Sequence, residues 1–128
     1  MSEIRDDRRY STDHEWALSL GGGLFRVGIS DHAQHQLGDV VFVELPAVGR
    51  VVVASEAVGV VESVKTVSDV LSPLSGTITK VNEELGDRPE AVNQSPYDEA
   101  WIYEIDAGDA AAADGLLDAA AYRAVIAE

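Results

Sequence analysis

Cysteine is missing from all 128 residues, and lysine occurs only at Lys65 and Lys80, beside seven arginines. Without cysteine there is no disulfide, no thiolate metal site and no thiol nucleophile, so any redox chemistry must be carried by a group brought from outside. The scarcity of lysine confines covalent chemistry on an amine to two positions, since a guanidinium is not acylated at neutral pH as an amine is. Also missing are an apolar stretch of signal-peptide type in "MSEIRDDRRYSTDHEW" and any later run long enough to cross a bilayer. A soluble, cytoplasmic protein is expected. Positive charge is in deficit: nine Lys and Arg face 23 Asp and Glu, a formal charge of −14. That balance opposes nucleic-acid phosphates and anionic lipid, and favours basic partner surfaces met at salt-sensitive rates.

What is present suffices for one core. With 46% hydrophobic residues the length fits a single compact domain, expected over residues 10–128, behind a loose, mixed-charge arm at 1–9. "WALSL", "GGG" and "LFRVGI" predict a hairpin. "SDHAQHQLG" follows, with Ser30 or Asp31 placed to cap a short helix ending at Gly38. Then come "VVFVEL", "RVVVA", "AVGVVES", "DVLS", "LSGTITKV" and "WIYEI", short segments rich in β-branched and aromatic residues and mostly bounded by turn formers. Leu116, Leu117, Ala120, Ala121, Ala124 and Val125 fall near helical spacing, predicting a helical C-terminal segment. "PAVG" at 46–49 and "PLSG" at 73–76 share Pro-x-x-Gly, as two copies of one turn would in a quasi-symmetric sandwich or partly closed barrel.

Within "VVESVKTVSDVLSPLSG" (60–76), Val61, Val64, Val67 and Val70 recur every third position. That spacing fits neither strand nor helix. It implies either a poor helix or two short strands whose parity breaks midway, at Lys65. As a hairpin tip, Lys65 would stand in water, with Glu62 and Asp69 on either side in sequence. Carboxylates nearby favour the ammonium, so nothing local prepares the amine as a Schiff-base nucleophile.

Six segments carry a resemblance: "DHEW" (13–16), "VGISDHAQHQLGDVVFVELPAVG" (27–49), "GVVESVKTVSDVLSPLSG" (59–76), "VN" (81–82), "AVNQSPYDEAW" (91–101) and "LLDAAAY" (116–122). Together, and in order along nearly the whole chain, they resemble the glycine cleavage system H protein family. The resemblance implies a mainly β barrel-sandwich hybrid of two antiparallel sheets, with a short helix after the first hairpin and a C-terminal helical segment. It also implies lipoic acid in amide linkage on Lys65, the lysine of Glu-Ser-Val-Lys, with valines on either side anchoring the two strands. Glu62, Gly49 and Gly76 resemble positions by which a lipoate ligase or a lipoyl/octanoyl transferase reads the hairpin. A biotin carrier of the same general fold usually has methionine on both sides of its lysine; here the neighbours are Val64 and Thr66.

The implied protein is a carrier and no enzyme. Its partners would be the pyridoxal-phosphate glycine decarboxylase (P protein), which loads an aminomethyl group; the tetrahydrofolate-dependent aminomethyltransferase (T protein); and dihydrolipoamide dehydrogenase (L protein), which takes reducing equivalents. A loaded arm ends in a cation, and the resemblance nominates Glu15, Asp69 and Asp13 to line a cleft for it. An H-like relay that donates lipoyl groups to other acceptors would keep the same lysine. His14, His32 and His35 invite a metal reading, but no further ligands stand at a recognisable spacing, so helix-surface roles are expected. Trp16 and Trp101 are expected at the core or its edge. The segment "GRVVVASEAVG" departs from the family pattern of a charged residue and a Lys-Gly turn, leaving "ASEA" to make that turn. A monomer is expected, since the recognisable features serve transient docking.

Overall fold

The computed structural model describes residues 2–127. Among the described residues, nine strands form two antiparallel sheets. Strands β1 (Arg9–Tyr10), β2 (Glu15–Gly21), β3 (Leu24–Ile29), β5 (Val51–Val52), β8 (Gly76–Val81) and β9 (Tyr103–Asp106) make a six-stranded sheet in the order β1-β2-β3-β9-β8-β5. Strands β4 (Val40–Glu44), β6 (Ala57–Ser63) and β7 (Val67–Leu71) make a second, three-stranded sheet in the order β4-β6-β7. The architecture is therefore mainly β, as the sequence predicts, with two sheets that do not close into one barrel.

Apolar residues at alternate strand positions meet between the sheets, since successive side chains point to opposite faces. Phe25, Val27, Ile78 and Ile105 from the larger sheet join Val43, Val61 and Val70 from the smaller in one buried cluster. "RVVVA" yields only the two paired residues of β5; Val51 and Val53 point to solvent and Val52 is buried, as alternation along a strand requires. The two Pro-x-x-Gly turns are brought together: Val51 and Val52 pair antiparallel with Thr77 and Gly76, and the Gly49 N–H donates to the Ile78 carbonyl at 2.7 Å. "ASEA" does make the following turn, with Ser55 at φ 74° and its N–H on the Ser72 carbonyl at 2.7 Å.

Helix α1 (Asp31–Leu37) starts where Ser30 Oγ accepts the Ala33 N–H at 3.2 Å, and it ends at Gly38. Gly38 sits at φ 78°, a region in which a Cβ is strained, so glycine is the residue that can stop the helix there. Two single-turn helices, α2 (Glu84–Asp87) and α3 (Ala91–Gln94), precede β9. The C-terminal helix α4 (Ala119–Ile126) is capped by Asp118, whose carboxylate accepts the Ala121 N–H at 2.8 Å, and it begins three residues after Leu116 rather than at it. Its Tyr122 stacks on Tyr10 with ring centroids 4.4 Å apart, building a second apolar cluster with Trp16 and Tyr97 on the outer side of β1 and β2.

In the N-terminal segment, two arginines find partners on the body. Arg8 is buried, with its guanidinium 4.6 Å from the Trp16 ring centre and donating to the Tyr97 carbonyl at 2.9 Å. Arg5 forms a two-bond fork on Asp98 at 2.6 and 2.8 Å, and Tyr97 donates its hydroxyl to the Glu3 carbonyl.

Candidate functional site

Strands β6 and β7 pair as far as Glu62 opposite Val67, leaving Ser63, Val64, Lys65 and Thr66 as the tip of a hairpin. Lys65 is exposed there. A spacing of three changes face within an extended strand, so one valine of each flanking pair points inward and the other outward. Val61 and Val70 are buried at 1% and 2% exposure, while Val64 and Val67 are 70% and 62% exposed. The expectation that all four anchor the strands therefore holds only for the outer two.

The tip is firm because its backbone is bonded from three directions. The Ser63 N–H donates to the Thr66 carbonyl at 2.8 Å, closing the turn. Ser63 Oγ accepts the N–H groups of Lys65 and Thr66 at 3.3 and 3.1 Å. The Val64 N–H donates at 3.0 Å to the carbonyl of Asp39, in the short link between α1 and β4. That link is braced in turn by Asn93, whose amide donates to the Gly38 carbonyl at 2.8 Å and to Gln34 Oε1 at 3.0 Å, while its oxygen accepts the Val40 N–H at 2.9 Å. The Lys65 stem runs over Gly38: a Cβ there would lie 3.4 Å from Lys65 Cε.

Ser63, Gly38 and Asn93 are the residues that sequence reasoning missed as parts of the site. A serine two positions before the turn lysine is the available signal, because serine hydroxyls bond nearby backbone N–H groups in turns. Ser63→Ala is expected to cost about 1 kcal/mol in urea unfolding and to speed hydrogen exchange at the Lys65 and Thr66 amides. An unchanged exchange rate would remove Ser63 from this role.

The other nominated residues are dispersed. Glu62 stands in a cross-strand row between Phe42 and Val67. Gly49 and Gly76 lie by the β5–β8 pairing, where a Cβ on Gly76 would come within 2.3 Å of the Asp106 carbonyl oxygen. Gly49 takes a positive φ of 91° and Gly76 gives room to the Asp106 backbone, and neither is placed at the tip. Glu15 is buried at 3% exposure, accepting the Ser11 hydroxyl at 2.9 Å and, at a long 3.4 Å, the Leu71 N–H of β7. Burial pushes its carboxyl up to about 8, offset in part by these two bonds and raised further by Asp13. Asp13 is exposed in the β1–β2 turn, with its N–H on Ser11 Oγ at 3.3 Å. A cleft of about 280 Å³ opens over Ser11, Asp13 and Ser72. Asp69 is exposed on β7, two residues before Leu71, in a row with Val60 and Glu44.

His14 is half-buried at φ 73°, with its ring centre 4.8 Å from that of His32 and Nδ1 2.9 Å from the Tyr122 hydroxyl. His35 lies 3.8 Å from Asp31 on the surface of α1. Among the described residues, no group of three or more His, Cys, Asp or Glu could hold a metal ion. Trp16 is fully buried, and Trp101 forms a core edge with Arg26 at 4.6 Å and Lys80 at 5.8 Å from its ring centre.

The family model described as glycine cleavage H-protein matches residues 8–128. The chain belongs to the glycine cleavage H-protein family. A glycine cleavage system H protein from Deinococcus radiodurans is 56% identical over 124 residues, 97% of this chain and 98% of that protein. One from Pseudoalteromonas atlantica is 53% identical over 128 residues, covering 100% of this chain and 99% of the relative. The crystal structure of a glycine cleavage system H protein from Mycobacterium marinum superposes with a TM-score of 0.88 at 41% identity, over 98% of this chain and 100% of that one. H proteins in general carry lipoate, and the exposed, firmly based amine of Lys65 suits an amide-linked group of that kind. Among the described residues of this H-protein family member, no helix is long and apolar enough to cross a membrane.

Proposed function

We propose that this chain is the lipoyl-bearing shuttle of glycine cleavage, with Lys65 as the attachment point. The observation that carries the reading is an exposed lysine held at a hairpin tip by backbone bonds from Ser63 and Asp39. Lys80, the other lysine, is also exposed but lies next to the end of β8, paired with Glu104 and with its ammonium near the Trp101 ring. What sets Lys65 apart is its place on a turn. The ammonium of Lys65 gives up one proton to become a nucleophile and a second as the amide C–N bond forms to an activated lipoyl carboxyl, whose leaving group, an adenylate or a thiol, departs.

When attached, the dithiolane would supply a disulfide that takes the aminomethyl remainder of glycine on one sulfur while the S–S bond breaks and the other becomes a thiol, so that the electron pair enters in that step and is given up when the dithiol is reoxidised. The protein's own residues supply position. Gly38 leaves room for the stem, and the Ser63 and Asn93 bonds hold the tip at a fixed height above the sheet. Glu15, with Asp13 beside it and Asp69 two residues along β7 from its backbone partner Leu71, offers carboxyl groups to a cationic load. The proposed partners are the decarboxylase, the aminomethyltransferase and the dihydrolipoamide dehydrogenase of glycine cleavage, together with a lipoate ligase or a lipoyl/octanoyl transferase.

The test is lipoylation followed by incubation with glycine and the pyridoxal-phosphate decarboxylase. Lipoylated protein is expected to support glycine-dependent CO₂ release and to gain an aminomethyl group by intact mass. A protein that accepts lipoate, donates it to other acceptors and remains inert with the decarboxylase would be a lipoate relay instead.

A further inference from the structure

The outer face of the small sheet beside Lys65 combines exposed apolar side chains with carboxylates. In an antiparallel pair, residues directly opposite share a face, and so do residues two apart on one strand. Phe42, Glu62 and Val67 form one row across β4, β6 and β7, while Glu44, Val60 and Asp69 form the next. Val43 and Val61, on the opposite face, are buried. Phe42 is 51% exposed and Val67 62%, with Val64, at 70%, next to Lys65 in the tip. A folded chain has no core reason to leave phenylalanine and two valines in water beside its hairpin-tip lysine, whereas a cluster of exposed apolar side chains interspersed with charge marks an interaction surface. The ion pairs among the described residues lie elsewhere. Glu44, Glu62 and Asp69 therefore remain available to cations from outside.

We propose that this face is the docking surface of the enzyme that acylates Lys65, meeting an apolar patch on that enzyme rimmed by lysine or arginine. The inference rests on the reading of Lys65 as the lipoyl attachment point, and it deepens that reading by naming what the attaching enzyme touches. Such an enzyme acts before any arm exists, so a lysine ammonium alone gives it nothing to distinguish this site from other exposed lysines. Its selectivity has to come from surface that surrounds the amine, and this face is contiguous with the tip. Charge supplies the second argument: Glu62 in the middle of one row and Glu44 and Asp69 at the ends of the next, none of them in an ion pair among the described residues, on a chain of net charge −14, are complementary to a cationic surface and repel an acidic one. Glu62, nominated for recognition, falls at the centre of the apolar row, which gives its role a location.

The experiment is lipoylation of purified apo-protein by lipoate ligase with ATP and lipoate, followed by intact mass, with KM and kcat measured for each variant. Phe42→Ser and, separately, Val67→Ser are expected to raise KM for the apo-protein about tenfold with kcat little changed, as loss of an apolar anchor does. Glu44→Lys is expected to raise KM and to flatten its dependence on salt. Val51→Ser, an equally exposed valine on β5, is the control and is expected to leave KM unchanged. The three face variants alter exposed side chains, and an unshifted thermal midpoint identifies those whose kinetics count. If folded face variants are lipoylated with the KM of the unaltered protein, the docking surface is wrong while the attachment point stands. If the unaltered protein accepts no lipoyl group on Lys65, the attachment reading fails, and the docking proposal fails with it.

Discussion

Lys65→Arg is expected to give a folded protein that takes up no lipoyl group at all. Arginine preserves the charge and much of the stem over Gly38, and the side chain it replaces is exposed, so the change should move stability by no more than about 0.5 kcal/mol. It removes the amine. Acylation at neutral pH needs a nitrogen that can shed its proton, and guanidinium does not do so in proteins. The remaining lysine offers no substitute, because Lys80 belongs to a strand paired to β9 and lies against Trp101 instead of standing on a turn. Intact mass after incubation with lipoate ligase, ATP and lipoate reads the result directly. Modification of the Lys65→Arg protein at Lys80 would show that geometry at the tip does not select the lysine.

Glu15→Gln is expected to remove a pH dependence of stability rather than simply to weaken the protein. In the folded chain Glu15 keeps its proton up to about 8, whereas in the unfolded chain it loses it near 4.5. Between those values the folded state binds the extra proton, so unfolding releases it and stability falls as pH rises through the window. Below the lower value the penalty is absent; above the upper value it is complete, on the order of 4 kcal/mol. Glutamine has the shape of the protonated acid. Urea unfolding at pH 5 should find the two proteins within about 1 kcal/mol of each other, while at pH 9 the variant should be more stable by a few kcal/mol. Parallel curves across that range would show that the Glu15 carboxyl ionises in the folded protein as it does in water. The same residue bears on the load. A cation brought beside a buried carboxyl favours its ionised form, so seating a cationic arm near Glu15 should release a proton near neutrality. If Glu15→Gln left the stability of the aminomethyl-loaded form unchanged, Glu15 would have no part in holding it.

The short strands, the first hairpin and α1 with its Ser30 and Gly38 ends were legible because local chemistry specifies them, whereas the two antiparallel sheets and the turn at Lys65 were implied by the family resemblance. Alternation, β-branching, a capping hydroxyl and a glycine at positive φ act over a few residues. What depends on remote partners was not legible. Arg5 and Arg8 read as loose charges until Asp98, Trp16 and Tyr97, about ninety residues away in most cases, come to meet them. "RVVVA" reads as a full strand, yet only Val51 and Val52 pair in strand register with β8, with the Arg50 carbonyl accepting the Ile78 N–H beside them. Asn93 reads as part of a packing loop, and its bonds to Gly38 and Val40 follow from where α3 lands.

The break in periodicity at Lys65, and the exclusion of any cysteine chemistry of the chain's own, follow from residue identity and short-range spacing. Which valines face inward, why the tip is rigid, and why Glu15 holds its proton were decided only by packing. Burial, and the hydrogen bonds that compensate it, are set by atoms far apart in the chain, and folding brings them within 3 Å of one another.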